Sequence, residues 1–225
     1  MDLNQIMITL QSLANPDNLT GMARYGINTN NALGVTVSAL REIGNGMRGA
    51  HIMARDLWNS AVHEARILAC IIDDPQELTE EQMEKWVHEF DSWDICDQVC
   101  NNLFVKSPIA YDKAIEWSGS SETYVKRAGF VLMASLAVHN KQFTDQKFLN
   151  LLPIIEKEAT DERNFVKKAV NWALRQIGKR NYKLNVEAVK LARKLKRSNN
   201  KSARWIGSNA NSELTSEAVQ KRLKS

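Results

Sequence analysis

The sequence predicts an all-α protein built as a curved α-solenoid of stacked helical hairpins. Apolar residues recur at helical spacing along almost the whole chain, and no stretch keeps the two-residue alternation of a strand for long enough to form a sheet. A weak internal repeat of about 30–40 residues is typical of one helical hairpin per repeat. The chain has 225 residues, of which 44% are hydrophobic and 25% charged. This composition is that of a globular protein with a sizeable core.

Helical periodicity predicts most of the elements, and capping residues mark several of their ends. Thr79 followed by Gln82 forms a capping-box pattern at one helix start, and Gly178 is expected to end another helix. The expected helices are 3–14, 33–43, 47–58, 60–72, 79–89, 92–104, 108–117, 122–138, 145–158, 162–178, 183–196 and 212–223.

Two regions are harder to assign, and they affect the expected domain organisation. The stretch 21–49 is rich in glycine, and 198–202 is polar enough to be expected as a loop that leads to a short anchor at 203–206. We expect a single domain over 1–225, in which 198–225 is a basic C-terminal extension.

The repeat is visible in three segments that share a valine followed three residues later by an alanine. They are Val62-His-Glu-Ala65, Val125-Lys-Arg-Ala128 and Val166-Lys-Lys-Ala169. Another amphipathic segment, 92–100, lies about midway in the first gap. Hairpins that cannot bury their apolar faces alone stack side by side, which predicts the solenoid.

The charges are strongly divided along the chain. Residues 1–162 carry 13 Lys/Arg and 23 Asp/Glu, whereas residues 163–225 carry 17 Lys/Arg and 3 Asp/Glu. Clustered cations gain free energy by displacing counterions from phosphates, so the asymmetry indicates a polyanionic partner, with nucleic acid favoured. A basic tail that only improves solubility is the alternative interpretation.

Other classes of protein fit the sequence poorly. No apolar run approaches the length of a membrane span, and the N-terminus lacks the basic region of a secretory signal. Three cysteines are too few for a disulfide framework. We therefore expect a cytoplasmic protein without membrane association.

The segment around residue 93 holds the most distinctive chemistry. On a helix, Trp93 and Asp97 are four residues apart and share one face, while Ile95, Val99 and Leu103 form a different stripe that faces the core. An indole and a carboxylate presented together could hold a cation, through the ring quadrupole and through direct Coulomb attraction. The alternative is a tryptophan packed on a neighbouring helix beside a solvated or capping aspartate.

Basic residues and an aromatic follow in the later repeats. The Val–Ala register makes Arg127 and Lys168 equivalent, and Trp172 lies one turn beyond Lys168, which predicts one ridge shared with Trp93 and Asp97. Such a mixture suits phosphates together with sugars or bases. A core position for Trp172 is the alternative. The candidate contacts for DNA are Trp172, Lys126, Lys167, Lys168, Arg175, Lys179 and Arg180.

The histidines and cysteines do not form the spacing of a metal site. His63-Glu64 is not followed by a second histidine in a zinc-protease motif, and Cys96 and Cys100 have no second pair of Cys or His ligands. We expect the two cysteines to be small core residues, and we predict no metal and no cofactor.

The arrangement of these residues resembles the DNA alkylation repair family of AlkD-type HEAT-like repeat DNA glycosylases. The resemblance covers most of residues 20–206. Its motifs are Leu57-Trp58, His63-Glu64-Ala65-Arg66, Phe90-Asp-Ser-Trp93-Asp94-x-x-Asp97, Val125-Lys-Arg127-Ala and Val166-Lys-Lys-Ala-Val-Asn-Trp172-Ala-Leu-Arg175.

This resemblance implies hydrolysis of the N-glycosidic bond of cationic purines alkylated at N3 or N7, in duplex DNA held on a basic concave face. Trp93 and Asp97 would be the active-site tryptophan and aspartate, Arg127 the arginine beside them, and Trp172 the second tryptophan of the cleft. We expect a monomer that associates with the bacterial nucleoid when bound to DNA. The alternatives are a non-catalytic module that binds damaged or structured nucleic acid and a scaffold for another protein.

Overall fold

The computed structural model describes residues 1–224, which form fifteen α-helices and a short 3-10 helix at Phe104–Lys106, with no strand among them. The chain divides into two compact units, Met1–Ser107 and Pro108–Ser225. The first unit contains α1 (Leu3–Ser12), α2 (Pro16–Arg24), α3 (Val37–Ile43), α4 (His51–Asn59), α5 (His63–Ile72), α6 (Glu80–His88) and α7 (Trp93–Asn102). The second contains α8 (Ala110–Ser118), α9 (Thr123–His139), α10 (Asp145–Leu149), α11 (Leu152–Glu158), α12 (Asn164–Gly178), α13 (Tyr182–Lys196), α14 (Lys201–Leu214) and α15 (Glu217–Lys224). The predicted all-α class is confirmed.

Helical hairpins are the packing unit inside each half of the chain. In the first unit α4 packs on α5, and α5 also packs on α7; in the second, α8 packs on α9, α9 on α12, and α12 on both α13 and α14. Each hairpin has a first and a second helix, and the second helices along the chain are α5, α7, α9, α12 and α14. They begin at residues 63, 93, 123, 164 and 201, which confirms the predicted period.

Three helix predictions are wrong. Residues 16–24 form a helix that the sequence did not reveal, with Pro16 in its first turn and the Asn15 side chain accepting the backbone N–H of Asp17. The helix predicted over 145–158 is two helices, α10 and α11. Residues 201–214 form α14, where a loop and a short anchor were expected.

Helix α14 was missed because its buried face consists mainly of small residues. Ala203, Gly207 and Ala210 lie on that face, together with Ile206 and Leu214. Small side chains give a weak hydrophobic pattern but let two helix backbones approach closely. The stretch after residue 198 is therefore packed against α12 and α13, and most of it is helical.

The two units differ in charge. The first carries 7 Lys/Arg and 15 Asp/Glu, and the second carries 23 Lys/Arg and 11 Asp/Glu, so their formal charges are −8 and +12. Within residues 1–224, no helix combines the length and the apolar character that crossing a bilayer requires.

The contact between α13 and α14 depends on the missing side chain of Gly207. A Cβ atom at this position would collide with the backbone N of Lys196 and lie 2.5 Å from the carbonyl oxygen of Ala192. We expect Gly207→Ala to lower the free energy of unfolding by about 2 kcal/mol or more, because neither backbone atom can move alone. Chemical denaturation followed by circular dichroism measures the change.

Gly119→Ala in the same unit is the control. Its new Cβ would meet its nearest neighbour, the carbonyl oxygen of Glu116, at an ordinary 3.6 Å, so we expect a change within about 0.5 kcal/mol. Equal effects of the two substitutions would contradict the close approach of α13 and α14.

Candidate functional site

Trp93 is the first residue of α7 and is partly exposed. Its indole Nε1–H donates a hydrogen bond to the backbone carbonyl oxygen of Tyr25, which follows α2, at 3.0 Å. The polar atom of the ring is therefore used to fix the ring in place. The tryptophan is not a core residue, and its orientation depends on a segment 68 residues earlier in the chain.

The glycine-rich segment that follows α2 is bound to the starts of α5 and α7. The carboxylate of Glu64, which is 1% exposed, accepts the backbone N–H groups of Leu33, Gly34 and Val35 at 2.8, 2.7 and 3.3 Å. Asn28 donates to the exposed carboxylate of Asp91 at 2.9 Å. The segment thus gains a fixed conformation from side chains rather than from a helix of its own.

Gly34 shows why this segment needs glycine. Its φ is +78°, in the left-handed region that other residues rarely adopt, and a Cβ atom there would collide with the carbonyl oxygen of Asn15. Sequence reasoning missed Glu64 as the residue that organises this segment. The buried acid at the start of an apolar helix was the available signal, because a buried carboxylate requires donors.

An ion pair lies directly beside Trp93. Asp94 accepts a hydrogen bond from Ser92 Oγ at 2.5 Å with one oxygen and contacts His63 Nε2 at 2.8 Å with the other. Burial by itself favours the neutral imidazole, but the hydrogen bond and charge of Asp94 outweigh it and raise the pKa of His63. Burial likewise opposes the charged carboxylate, and His63 outweighs it so that the pKa of Asp94 is lowered. Asp94 is thus a structural acid.

Asp97 lies one helical turn beyond Trp93 on α7 and is also partly exposed, so it shares the face of Trp93. The stripe predicted to face the core is confirmed, since Ile95, Val99 and Leu103 are fully or almost fully buried. The cysteines behave as expected as well. All three are buried and form no disulfide.

An aromatic cluster supports the loop that leads into α7. The rings of Trp58 and Trp86 stack with centroids 4.0 Å apart and an interplanar angle of 3°. Phe90 meets Trp58 edge-on at 6.0 Å. Glu89, in the same loop, accepts the indole N–H of Trp58 at 2.6 Å. A rigid base of this kind fixes the position where α7 begins, and with it Trp93.

The two basic residues of α9 are buried in the second unit. Lys126 is 8% exposed and lies 2.7 Å from Glu158 and 3.4 Å from Asp161. Arg127 is 5% exposed and donates from Nη1 to the carbonyl oxygen of Phe165 at 2.6 Å. Both cations help to hold α9 against the neighbouring hairpin. Their predicted contacts with phosphate stay predictions.

Helices α12 and α14 are joined by side-chain pairs that are separated by the same 38 residues, which we call the α12–α14 ladder. The pairs recur every four residues, so the two helices run in the same direction. The rungs are Lys167–Trp205, Asn171–Asn209 and Arg175–Glu213. The first rung is a cation over a ring, the second a hydrogen bond of 2.7 Å, and the third an ion pair.

In the last rung, two residues that were predicted to bind phosphate pair with a carboxylate instead. Glu213 pairs with Arg175 and lies 2.7 Å from Lys179 Nζ. Burial favours the neutral acid, but Lys179 and Arg175 outweigh it and lower the pKa of Glu213. At this end of the ladder one carboxylate therefore holds two cations and neutralises one of their two positive charges.

The remaining predicted residues differ in their surroundings. Lys168 is exposed, and Trp172 is partly exposed rather than in the core. Arg180 donates to the carbonyl oxygens of Ala137 and Phe143 at 2.9 and 3.2 Å. It therefore satisfies groups near the end of α9, which a helix leaves unpaired. Trp93 and Asp97 belong to the first unit, and the basic residues belong to the second.

Comparisons with known proteins agree on family and fold. A model of the DNA alkylation repair enzyme family matches residues 6–213. One solved structure is described as belonging to a new family of proteins related to the HEAT-like repeat DNA glycosylases with affinity for branched DNA structures. It is 22% identical, with 99% of this chain and 96% of that chain covered and a TM-score of 0.83. This likeness confirms the HEAT-like repeat fold.

A second solved structure, a designed armadillo repeat protein in complex with a (KR)4 peptide, has 16% identity and a TM-score of only 0.39 over 83% of this chain and 89% of that chain. A likeness this weak carries no argument. No curated protein sequence matches the chain significantly.

The His63–Asp94 pair predicts how the stability of the protein depends on pH. Because the pKa of His63 is raised, the pair's stabilisation is complete below about pH 6.5 and is lost as the pH rises through the raised value. Because the pKa of Asp94 is lowered, the stabilisation is present above about pH 4 and is lost on further acidification. We expect Asp94→Asn to lower the free energy of unfolding by about 1–3 kcal/mol near pH 6. As the pH rises above about 6, the variant should lose less of its free energy of unfolding than the wild type does.

Urea denaturation across this pH range measures both effects. Glu84→Gln is the control, because it removes the carboxylate of the more exposed pair with His88 at 3.7 Å, which should contribute less than about 1 kcal/mol. A pH dependence that Asp94→Asn leaves unchanged would show that His63 is not the group responsible.

Proposed function

The chain belongs to the DNA alkylation repair enzyme family, and on this basis we propose that it is a DNA glycosylase. The proposed reaction is hydrolysis of the N-glycosidic bond of cationic purines alkylated at N3 or N7 in duplex DNA. The observation that carries the proposal is the pair of Trp93 and Asp97, an indole and a carboxylate on one partly exposed face of α7.

The chemistry suits these two groups. In an alkylated purine the base already carries a positive charge, so it can leave without being protonated. The C1′–N bond breaks, its electron pair leaves with the base, and the base becomes neutral while positive charge develops on the sugar. A water molecule then adds to C1′ and loses a proton, which gives an abasic sugar and the free base.

Asp97 would act on the step in which charge develops. A fixed carboxylate close to the sugar stabilises the oxocarbenium-like transition state more than the ground state, which is the condition for acceleration. Asp97 could also orient the attacking water and accept its proton. The π face of Trp93 would contact the sugar and attract its positive charge, because the indole N–H already donates to Tyr25. This chemistry requires neither a metal nor a cofactor.

The second unit would supply affinity for the DNA backbone. Its formal charge of +12 favours polyanions and makes binding strongly dependent on salt. Among the predicted contacts, Lys167 and Lys168 remain the best placed for phosphate, because Lys126, Arg175 and Lys179 pair with carboxylates. We further propose that Arg127 and Trp172 assist in positioning the lesion, and that the protein acts as a monomer.

Asp97→Asn tests the catalytic part of the proposal. We expect the rate of base release from duplex DNA methylated at N7 of guanine to fall about 100-fold or more, because the amide cannot stabilise the developing cation. DNA binding should change by less than about threefold, since in the proposed reaction the side chain acts on the sugar and not on a phosphate. Mass spectrometry of released base and fluorescence anisotropy measure the two quantities.

Asp91→Asn provides a matched control, as it removes the same charge two residues before Trp93. Asp91 is exposed, and its bond from Asn28 can be accepted equally by the new amide oxygen. An equal loss of base release in both variants would show that the general negative potential matters and that Asp97 has no specific role.

A second candidate function is binding of branched DNA without catalysis. It is favoured by the structural relative, whose description states affinity for branched DNA structures. This function predicts salt-dependent binding to a junction and no base release at any enzyme concentration. The same base-release assay therefore separates the two candidates.

The ladder gives a test of which cations bind DNA. We expect Glu213→Gln to release Arg175 and Lys179 for phosphate, which would raise DNA affinity by about 3- to 10-fold and make the salt dependence steeper by about one to two units. Glu187→Gln, on α13, is the control with the same change in charge, and it should have a smaller effect because the pair of Glu187 with Lys190 is longer, at 3.7 Å, and more exposed. Equal gains in the two variants would show that only the net charge matters.

A further inference from the structure

The first rung of the α12–α14 ladder joins a half-buried lysine to an exposed tryptophan, and the glycosylase chemistry does not explain it. Trp205 is 40% exposed, which makes it the most exposed of the six tryptophans. The ammonium nitrogen of Lys167 lies 5.0 Å from the centroid of its ring. A partly uncovered indole with a cation beside it is the arrangement on which nucleic-acid bases stack.

The ring is held on a rigid support. Ala203 and Ile206, its near neighbours in sequence, are buried against the adjoining helices. The two lower rungs, through Asn209 and Glu213, fix α14 against α12 one and two turns further along. A pre-positioned ring loses little conformational entropy when a ligand stacks on it.

The charged side chains in the first two turns of α14 are positive. Lys201 lies four residues earlier on α14, so it shares a face with Trp205, and it is exposed. Lys168 is exposed next to Lys167. At the other end of the ladder, by contrast, the carboxylate of Glu213 contacts two cations. A flat aromatic surface flanked by ammonium groups matches a ligand that combines a flat base with phosphates.

We propose that Trp205, Lys167 and Lys201 form a binding site for an unpaired nucleotide of DNA, separate from the residues that cleave the glycosidic bond. The base stacks on the indole, and the two lysines contact the phosphates on either side. Bases inside a duplex are stacked on each other and cannot take this position, so the site selects DNA with a single-stranded flap, gap or branch. The proposal rests on the proposed DNA binding and does not require base release.

The test compares a duplex that carries a short single-stranded oligothymidine flap with a blunt duplex of the same length at one salt concentration. We expect Trp205→Ala to weaken binding of the flapped DNA by about 10-fold or more, in line with the contribution of one base stacked on an aromatic ring. Binding of the blunt duplex should change by less than about threefold, because its bases are not available for stacking. Trp205→Phe, which keeps an aromatic face, should restore most of the lost affinity.

Tyr182→Ala is the matched control, since Tyr182 is a 59% exposed aromatic on α13 of the same unit. Thermal melting of each variant shows whether it is folded. Because Trp205→Phe keeps an aromatic ring, its binding of the flapped DNA tests stacking without truncating the side chain. The proposal is wrong if Trp205→Ala and Tyr182→Ala have equal effects, or if Trp205→Ala weakens both DNAs equally.

The outcome is independent of the glycosylase reaction. Base release by the wild type together with no effect of Trp205→Ala on the flapped DNA overturns the stacking site and leaves the proposed function intact. Loss of flap binding in Trp205→Ala, in a protein that releases no base, supports the stacking site and overturns the proposed function.

Discussion

The number of residues between the second helix of one hairpin and the second helix of the next determines which side chains meet. These helices run side by side in each unit, so a residue lies next to the one that follows it by about one repeat. His63 meets Asp94 after 31 residues, and the rungs of the α12–α14 ladder are all 38 residues apart. Apolar positions are used in packing, and the polar pairs at these spacings decide where charge is balanced and where it stays available.

This constraint separates two kinds of basic residue. A lysine or arginine that meets a carboxylate on a neighbouring helix has its charge balanced within the fold, as Lys126 of α9 does with Glu158 of α11 and Arg175 of α12 does with Glu213 of α14. Lys167, whose partner is the ring of Trp205, retains its full positive charge for a ligand. Net charge therefore predicts the kind of partner, while the pairing between repeats determines which residues can contact it.

Features that depend on local sequence could be predicted, whereas pairs between helices far apart in the chain could not. The hairpin period and the buried stripe of α7 follow from local periodicity, so both could be predicted. The partners of Lys126 and Arg175 could not, because they depend on a repeat length that varies from 30 to 41 residues between helix starts. Helix α14 was missed because its buried small residues have a weak hydrophobic signal, and the contact of Trp205 with Lys167 was missed along with it.

The charge division has a chemical consequence for the two proposed functions of the protein. A carboxylate stabilises a developing cation best where few cations compete with it, and Asp97 lies in the unit with the formal charge of −8. Phosphates bind best where cations are in excess, and Trp205 lies in the unit with the charge of +12. At Trp93 the indole N–H is bonded to Tyr25, so the ring offers a ligand its π face. At Trp205 a lysine lies over one face of the ring, so a ligand there meets aromatic surface and positive charge together. Stacking and charge carry little information about base sequence, which suits binding that tolerates many DNA sequences.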